Sequence, residues 1–189
     1  MPLVRPFTAA DYPALVSVHS NLNIIWPEWP STADAWASAD RNRNPKCKHK
    51  RWVAEEDGIV VGFASYGQNA DDYHPQRFYV NVEVLPSYQK RGIGSFLYDR
   101  VIDGLREFNP RVLRANAFAN LPQGFEFLQK RGFYEAFRET PVHLDIASFN
   151  PHPYADLERQ LQQQGIQIKT LRELASDPDR DRKIYELYW

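Results

Sequence analysis

The stretch Gln89-Lys90-Arg91-Gly92-Ile93-Gly94-Ser95 holds residue types that grip an anion. Two glycines one residue apart let successive backbone N–H groups turn inward at the start of a helix, where unpaired donors and the positive end of the helix dipole coincide. Lys90 and Arg91 place charge beside that nest and Ser95 adds a hydroxyl, so a pyrophosphate suits it. The same residues also fit a plain strand-to-helix connection with exposed basic side chains. The stretch is not a Walker loop, since G-x-x-x-x-G-K-[ST] is absent, nor a dinucleotide fingerprint, since Leu97 stands where a third glycine is needed. Cys47-x-His49 lacks a second ligand pair, so the pattern contains no metal site. His19, His143 and His152 stand in no arrangement with Ser, Cys or Asp that singles them out for a role.

An anion turn needs a strand to deliver it and a helix to follow. Phe78 to Leu85 is rich in Val and ends at Pro86; beyond the turn, Ile93, Phe96, Leu97, Val101, Leu105 and Phe108 recur at spacings of three and four, one face of a helix. Asn109-Pro110 stops that helix. Upstream, Leu3 to Phe7 predicts a strand, and Thr8 to Asp11 an N-cap opening a helix with Tyr12, Leu15, Val16 and His19 on its inner face. Ser31 or Thr32 caps a second helix carrying Ala35, Trp36 and Ala39. Arg51 to Glu56 and Ile59 to Tyr66 form a hairpin at Asp57-Gly58. Arg111 to Phe118 reads as a strand, Gln123 to Lys130 as a helix closed by Gly132, and Phe133 to Ile146 as one or two strands broken near Pro141. This order predicts an α+β fold, a mixed sheet covered by helices.

The 189 residues are 43% apolar, with 11 Phe, 10 Tyr and 5 Trp, enough to bury a core. A formal charge of -1 gives no overall field for nucleic acid or an anionic membrane, so any anion site is local. A single cysteine rules out an internal disulfide, and the chain shows no long apolar run or signal-like start, so a cytoplasmic setting is expected. The basic run from Arg41 to Arg51, followed by Glu55-Glu56-Asp57, reads as a solvated loop.

Gln89-x-x-Gly92-x-Gly94 directly after a Val-rich strand resembles motif A of the GCN5-related N-acetyltransferases. Downstream, Asn120 and then Phe127-Leu128-Gln129-Lys130-Arg131-Gly132-Phe133 are similar to a later motif of that family, and the resemblance covers about residues 2 to 146. It implies a sheet splayed at the cofactor site, with acetyl-CoA bound as co-substrate between the Phe78 to Leu85 and Arg111 to Phe118 strands. Val82, Val84 and Leu85, with the Pro86 carbonyl, would line the pantetheine. The pyrophosphate would sit on amides of Gln89, Lys90, Arg91, Gly92, Ile93, Gly94 and Ser95, with Asn120 and Phe127 flanking the pantetheine and thiol. The resemblance also implies a catalytic-type domain at 1–147. Residues 148–189, whose Ile168-Lys169-Thr170-Leu171 echoes Val4-Arg5-Pro6-Phe7, look like a linker helix and the opening of a second domain, as in tandem members. The apolar end Leu187-Tyr188-Trp189 then packs back, meets a partner chain such as a second copy, or continues into a longer protein.

Acetyl transfer to an amine needs a neutral nucleophile, a stabilised oxyanion and a departing thiolate. Freeing an alkylamine at pH 7 costs about 4.6 kcal/mol against about 2 kcal/mol for an unprotonated thiolate, so a base matters more than an acid. The family's tyrosine acid is replaced by Leu128 and one of its glutamate bases by Phe78. Glu83 is the remaining base candidate: it shares a strand face with Tyr79 and Asn81 and adjoins Val84, whose amide would serve the thioester carbonyl. Tyr98 and Tyr134 are alternative acids. Trp26, Trp29 and Trp36, with Glu28, sit where the family builds its acceptor pocket, and Tyr79 and Asn81 complete the acceptor candidates; Asp71-Asp72-Tyr73-His74 is a further rim segment. The expected activity is acetyl transfer to a primary amine of a small molecule in a ternary complex, without nucleic-acid, membrane or metal partners. A silent acyl-CoA-binding module and a protein or peptide N-acetyltransferase are the alternatives.

Overall fold

A computed structural model describes residues 2–22, 32–140 and 142–188. Trp26, Glu28, Trp29 and Trp189 lie outside the described residues. The chain divides into two compact units, Met1–Tyr134 and Glu135–Trp189.

The first unit is an α+β domain built on one five-stranded mixed sheet in the order β1-β2-β3-β4-β5. The strands are β1 (Leu3–Pro6), β2 (His49–Glu56), β3 (Ile59–Gly67), β4 (Arg77–Val84) and β5 (Val112–Arg114). β1 to β4 run antiparallel, and β5 joins β4 in parallel. The helices are α1 (Tyr12–Leu22), α2 (Ala33–Arg41), α3 (Ile93–Leu105) and α4 (Pro122–Gln129). Local signals place the ends: Thr8 and Asp11 form a capping box ahead of α1, and Thr32 Oγ1 accepts from the Ala35 amide at 3.1 Å to cap α2. Asp57 and Gly58 both adopt positive φ, 51° and 78°, the geometry of a two-residue hairpin turn between β2 and β3.

The sheet is buried on both faces. Ile93, Leu97, Val101 and Leu105, the stripe expected from the sequence, pack α3 against Trp52, Ala54, Val61, Tyr66, Phe78 and Val84. On the opposite face α1 and α2 bring Leu15, Val18 and Trp36 onto Val53 and Phe63. Because β-strand side chains alternate, Tyr79, Asn81 and Glu83 of β4 lie on this second face, where His19 of α1 meets Glu83.

β4 keeps its pairing with β3 as far as Val84, opposite Gly62, whereas its pairing with β5 ends at Tyr79, opposite Arg114. β5 is thus shorter than the expected Arg111 to Phe118 strand, and β4 from Val80 onward has no ladder partner on that side among the described residues. The strands expected between Phe133 and Ile146 are not formed among the described residues. Alternation makes a strand only where a partner ladder exists, Pro141 withholds a donor, and Val142, Leu144 and Ile146 are exposed.

The second unit holds α5 (Leu157–Gln163) and α6 (Arg180–Tyr188), and Ile166 to Leu171 carries no strand. No helix among the described residues is long and apolar enough to cross a membrane.

Candidate active site

Gly92 caps α3 with φ 85°, and Lys90 is also left-handed at φ 58°, so the chain between β4 and α3 reverses twice within three residues. The amides of Gln89 and Ser95 are engaged, by the Pro86 and Gly92 carbonyls at 3.3 and 3.0 Å. The donors left for an anion therefore lie between Lys90 and Gly94, a narrower nest than the seven residues expected. The Ile93 side chain is 2% exposed in the core, which leaves only its backbone to the turn.

Arg91 and Ser95 of the turn have protein partners. Arg91 pairs with Glu56 at 2.7 Å, and the Ser95 hydroxyl accepts from Arg131 Nη2 at 2.8 Å. Arg131 also donates to the Phe127 carbonyl and lies 3.5 Å from the Phe127 ring centre. Phe127 in turn rests on Gly94, where an added Cβ would meet its ring at 3.3 Å. These contacts dock α4 onto the start of α3. Asn120 is exposed just ahead of α4.

The strand end is organised by Gln89, whose side-chain amide donates to the Val84 carbonyl at 2.9 Å. The Leu85 amide donates to Val61 at 2.9 Å, which directs that residue's donor toward β3. In an antiparallel ladder the donors of alternate residues point to opposite sides. The amides of Val82 and Val84 accordingly face the opening beside β5.

On the α1 and α2 face, Glu83 is held from two sides. Asn81 Nδ2 donates to Oε1 at 2.8 Å, and His19 Nδ1 of α1 lies 2.9 Å from Oε2 and 3.2 Å from Oε1. The hydrogen bond to Glu83 pulls the His19 pKa above its ordinary value, although burial acts against it. The ring stands edge-on to Trp36, which stands edge-on to Phe63, so Trp36 packs in the wall of this site. Sequence reasoning gave His19 no role. The signal available was a polar residue on the apolar face of α1, in register with Leu15 and Leu22.

Further along β4, Tyr79 donates its hydroxyl to Asp72 Oδ2 at 2.6 Å, and Arg114 Nη1 reaches both Asp72 and Tyr79, at 2.9 and 3.0 Å. The acidic rim segment is therefore tied to the sheet through Asp72. Nor is the basic run a uniformly solvated loop: Arg51 is buried, paired with Asp40 at 2.9 Å and packed on the Phe7 and Trp36 rings. Of the alternative acids, Tyr98 packs against Phe127 and burial raises its pKa, while Tyr134 is 85% exposed.

A mixed sheet that parts between β4 and β5, with a glycine turn opening α3 at the parting, defines the acetyltransferase class of fold and site. Residues 17–133 match the Acetyltransferase (GNAT) family, and the chain belongs to that family. It is an N-acetyltransferase, an enzyme of acyl transfer to amines. It is 27% identical over 138 residues to the L-amino acid N-acyltransferase MnaT of Escherichia coli (strain K12), covering 69% of this chain and 78% of that one. The crystal structure of ribosomal-protein-alanine N-acetyltransferase from Brucella melitensis is 30% identical, with a TM-score of 0.61, over 71% of this chain and 86% of its own. The structure of yncA, a putative acetyltransferase from Salmonella typhimurium with its cofactor acetyl-CoA, is 25% identical, with a TM-score of 0.62, over 77% and 87%.

Proposed function

We propose that the protein transfers an acetyl group from acetyl-CoA to a primary amine of a small molecule by direct attack in a ternary complex, with Glu83 as the base. The observation that carries this reading is the fixed Glu83 carboxylate, held by His19 and Asn81 one residue before Val84, on a strand whose other edge is open.

The residues fit the co-substrate. The open edge at Val82 and Val84 suits the amides of a pantetheine, and the donors between Lys90 and Gly94 suit a pyrophosphate. When bound, acetyl-CoA supplies a thioester carbonyl. The Val84 amide then serves as oxyanion donor, Gln89 fixes the Val84 peptide through its carbonyl, and Glu83 takes the proton of the attacking amine. Asn120 and Phe127 flank the pantetheine and thiol in this reading. Trp26 and Trp29, with Tyr79 and Asn81, belong to the acceptor side in this reading.

The relatives named an L-amino acid N-acyltransferase and a ribosomal-protein-alanine N-acetyltransferase make free L-amino acids and an alanine-ended peptide the first acceptors to test. The test is CoA release from acetyl-CoA across such a panel, with calorimetry for acetyl-CoA binding. Turnover with a free amino acid or small amine, lowered by about 100-fold or more in Glu83→Gln with acetyl-CoA binding retained, is expected. Binding without turnover on any acceptor would make the protein a silent acyl-CoA-binding module, and turnover on the peptide alone would overturn the small-molecule reading.

A further inference from the structure

His19 and Glu83 are separated by 64 positions in the chain, yet their side chains meet at 2.9 Å, 17% and 14% exposed. Asn81 supplies a fixed donor to the other carboxylate oxygen, so the carboxylate cannot rotate without breaking two contacts. Among the described residues the elements around the pair bring little other charge: α1 contributes His19, and β3 presents Phe63 and Ser65 opposite Glu83 and Asn81. From α2 comes Trp36, against which the Arg51 guanidinium packs, itself neutralised by Asp40.

We propose that His19 and Glu83 act as one proton-accepting unit, in which His19 is the positioning residue that holds the carboxylate and sets the pH at which the unit accepts the amine's proton. This rests on the reading of Glu83 as the base. In the base form a neutral imidazole donates Nδ1–H to the carboxylate; the amine's proton is taken at a carboxylate lone pair that His19 and Asn81 leave free and passes through water to His19 Nε2, so the acid form is an imidazolium–carboxylate pair. The C–N bond forms, the C–S bond breaks with its electron pair leaving on sulfur, and the amine's proton is taken up by the unit and afterwards released to the thiolate or to water.

The advantage over a lone carboxylate follows from coupling. An isolated glutamate binds its proton at about 4.3, whereas the first proton taken up by a coupled pair binds at a value belonging to the pair. That value lies above the ordinary histidine range of about 6.5, because the Glu83 hydrogen bond favours the imidazolium despite burial. The unit is therefore a stronger base than an isolated carboxylate, closer to the working pH where general bases act best.

The test is the pH profile of kcat at saturating amine, which is free of the amine's own titration in solution. Wild type is expected to lose kcat as pH falls through a single protonation above about 6.5. In His19→Gln, which keeps a donor but does not titrate, this limb moves down toward the carboxylate range and kcat at pH 8 falls about 10- to 100-fold, with acetyl-CoA affinity unchanged within about twofold. A merely structural His19 would leave the limb in place, and that result overturns the assignment alone. Wild-type protein that binds acetyl-CoA but acetylates no amine overturns the functional reading and this one with it. Should His19→Gln fail to fold, the NMR titration of the His19 imidazole decides: its pKa returns toward the ordinary value in Glu83→Gln if the two form a unit, and the same value in both proteins overturns it.

Discussion

The Gln89 side-chain amide donates to the Val84 carbonyl across 2.9 Å, so the residue that opens the glycine turn also fixes the last residue of β4. The glycine turn and the strand edge are thereby one mechanical piece. Gln89→Ala leaves the Val84 carbonyl to water and is expected to lower stability by about 1 kcal/mol and to weaken acetyl-CoA binding. Gln89→Glu, which turns an acceptor toward an acceptor, should do worse than alanine on both counts. Thermal denaturation and calorimetry read the two effects separately.

Gly62 of β3 faces Val84, and a Cβ built there would stand 2.7 Å from the Glu83 backbone oxygen and 3.2 Å from the Val84 side chain. Backbone cannot yield as a flexible side chain can. Gly62→Ala is expected to cost about 1–3 kcal/mol and, by displacing the strand that carries Glu83, to lower kcat more than acetyl-CoA affinity. Gly124→Ala in α4, where nothing lies within 4 Å of the added methyl, is the control and should be neutral or stabilising by up to about 1 kcal/mol.

Gly92 adopts φ 85°, a region that asparagine and aspartate tolerate better than other side chains. The pair Gly92→Asn and Gly92→Asp separates backbone strain from charge, because the two side chains are close in size. Acetyl-CoA should bind Gly92→Asn within about tenfold of wild type and Gly92→Asp on the order of 100-fold more weakly still, the difference shrinking with added salt. Equal losses in the two variants would sink the anion-nest reading.

Acid should unfold the domain in two stages. Burial, aided by Arg43 and Arg51, lowers His49 to about 4, so its folded form is neutral where the unfolded chain already binds a proton. The unfolded state then holds more protons between about 6.5 and 4, and up to about 3 kcal/mol is lost as pH falls through that window. Asp11, held by Arg5 and by Thr8, titrates at about 2 instead of near 3.8, and its contribution of about 2 kcal/mol is present above pH 4 and lost on further acidification. Chemical denaturation against pH should show His49→Gln flattening the first stage and Asp11→Asn the second.

The parts of the fold legible in the sequence are those set by local chemistry. The spacing of Ile93, Leu97, Val101 and Leu105 defines α3, Asp57-Gly58 defines the hairpin, and Thr32 caps α2, because each depends on neighbours within a few residues. Alternation at Val142, Leu144 and Ile146 is not enough to make a strand, since pairing depends on a partner the local sequence does not contain. The glycine turn is legible because its geometry is encoded in seven consecutive residues, though two of their amides turn out to be engaged. The His19–Glu83 contact is not, because it forms only when α1 is laid across β4. The same holds for Asp72, which reads as a turn residue and serves as the common acceptor of Tyr79, Arg77 and Arg114.

The strand order has a kinetic consequence. β1 to β4 pair in sheet order as they occur in the chain, with β2 and β3 closing over two residues, so the hairpin needs almost no loop closure to form. β5 must be brought back beside β4 across the whole of α3. The β2–β3 hairpin is thus the natural nucleus and β5 the late arrival. A destabilising change at Gly58 should slow folding, whereas one in β5 should mainly hasten unfolding.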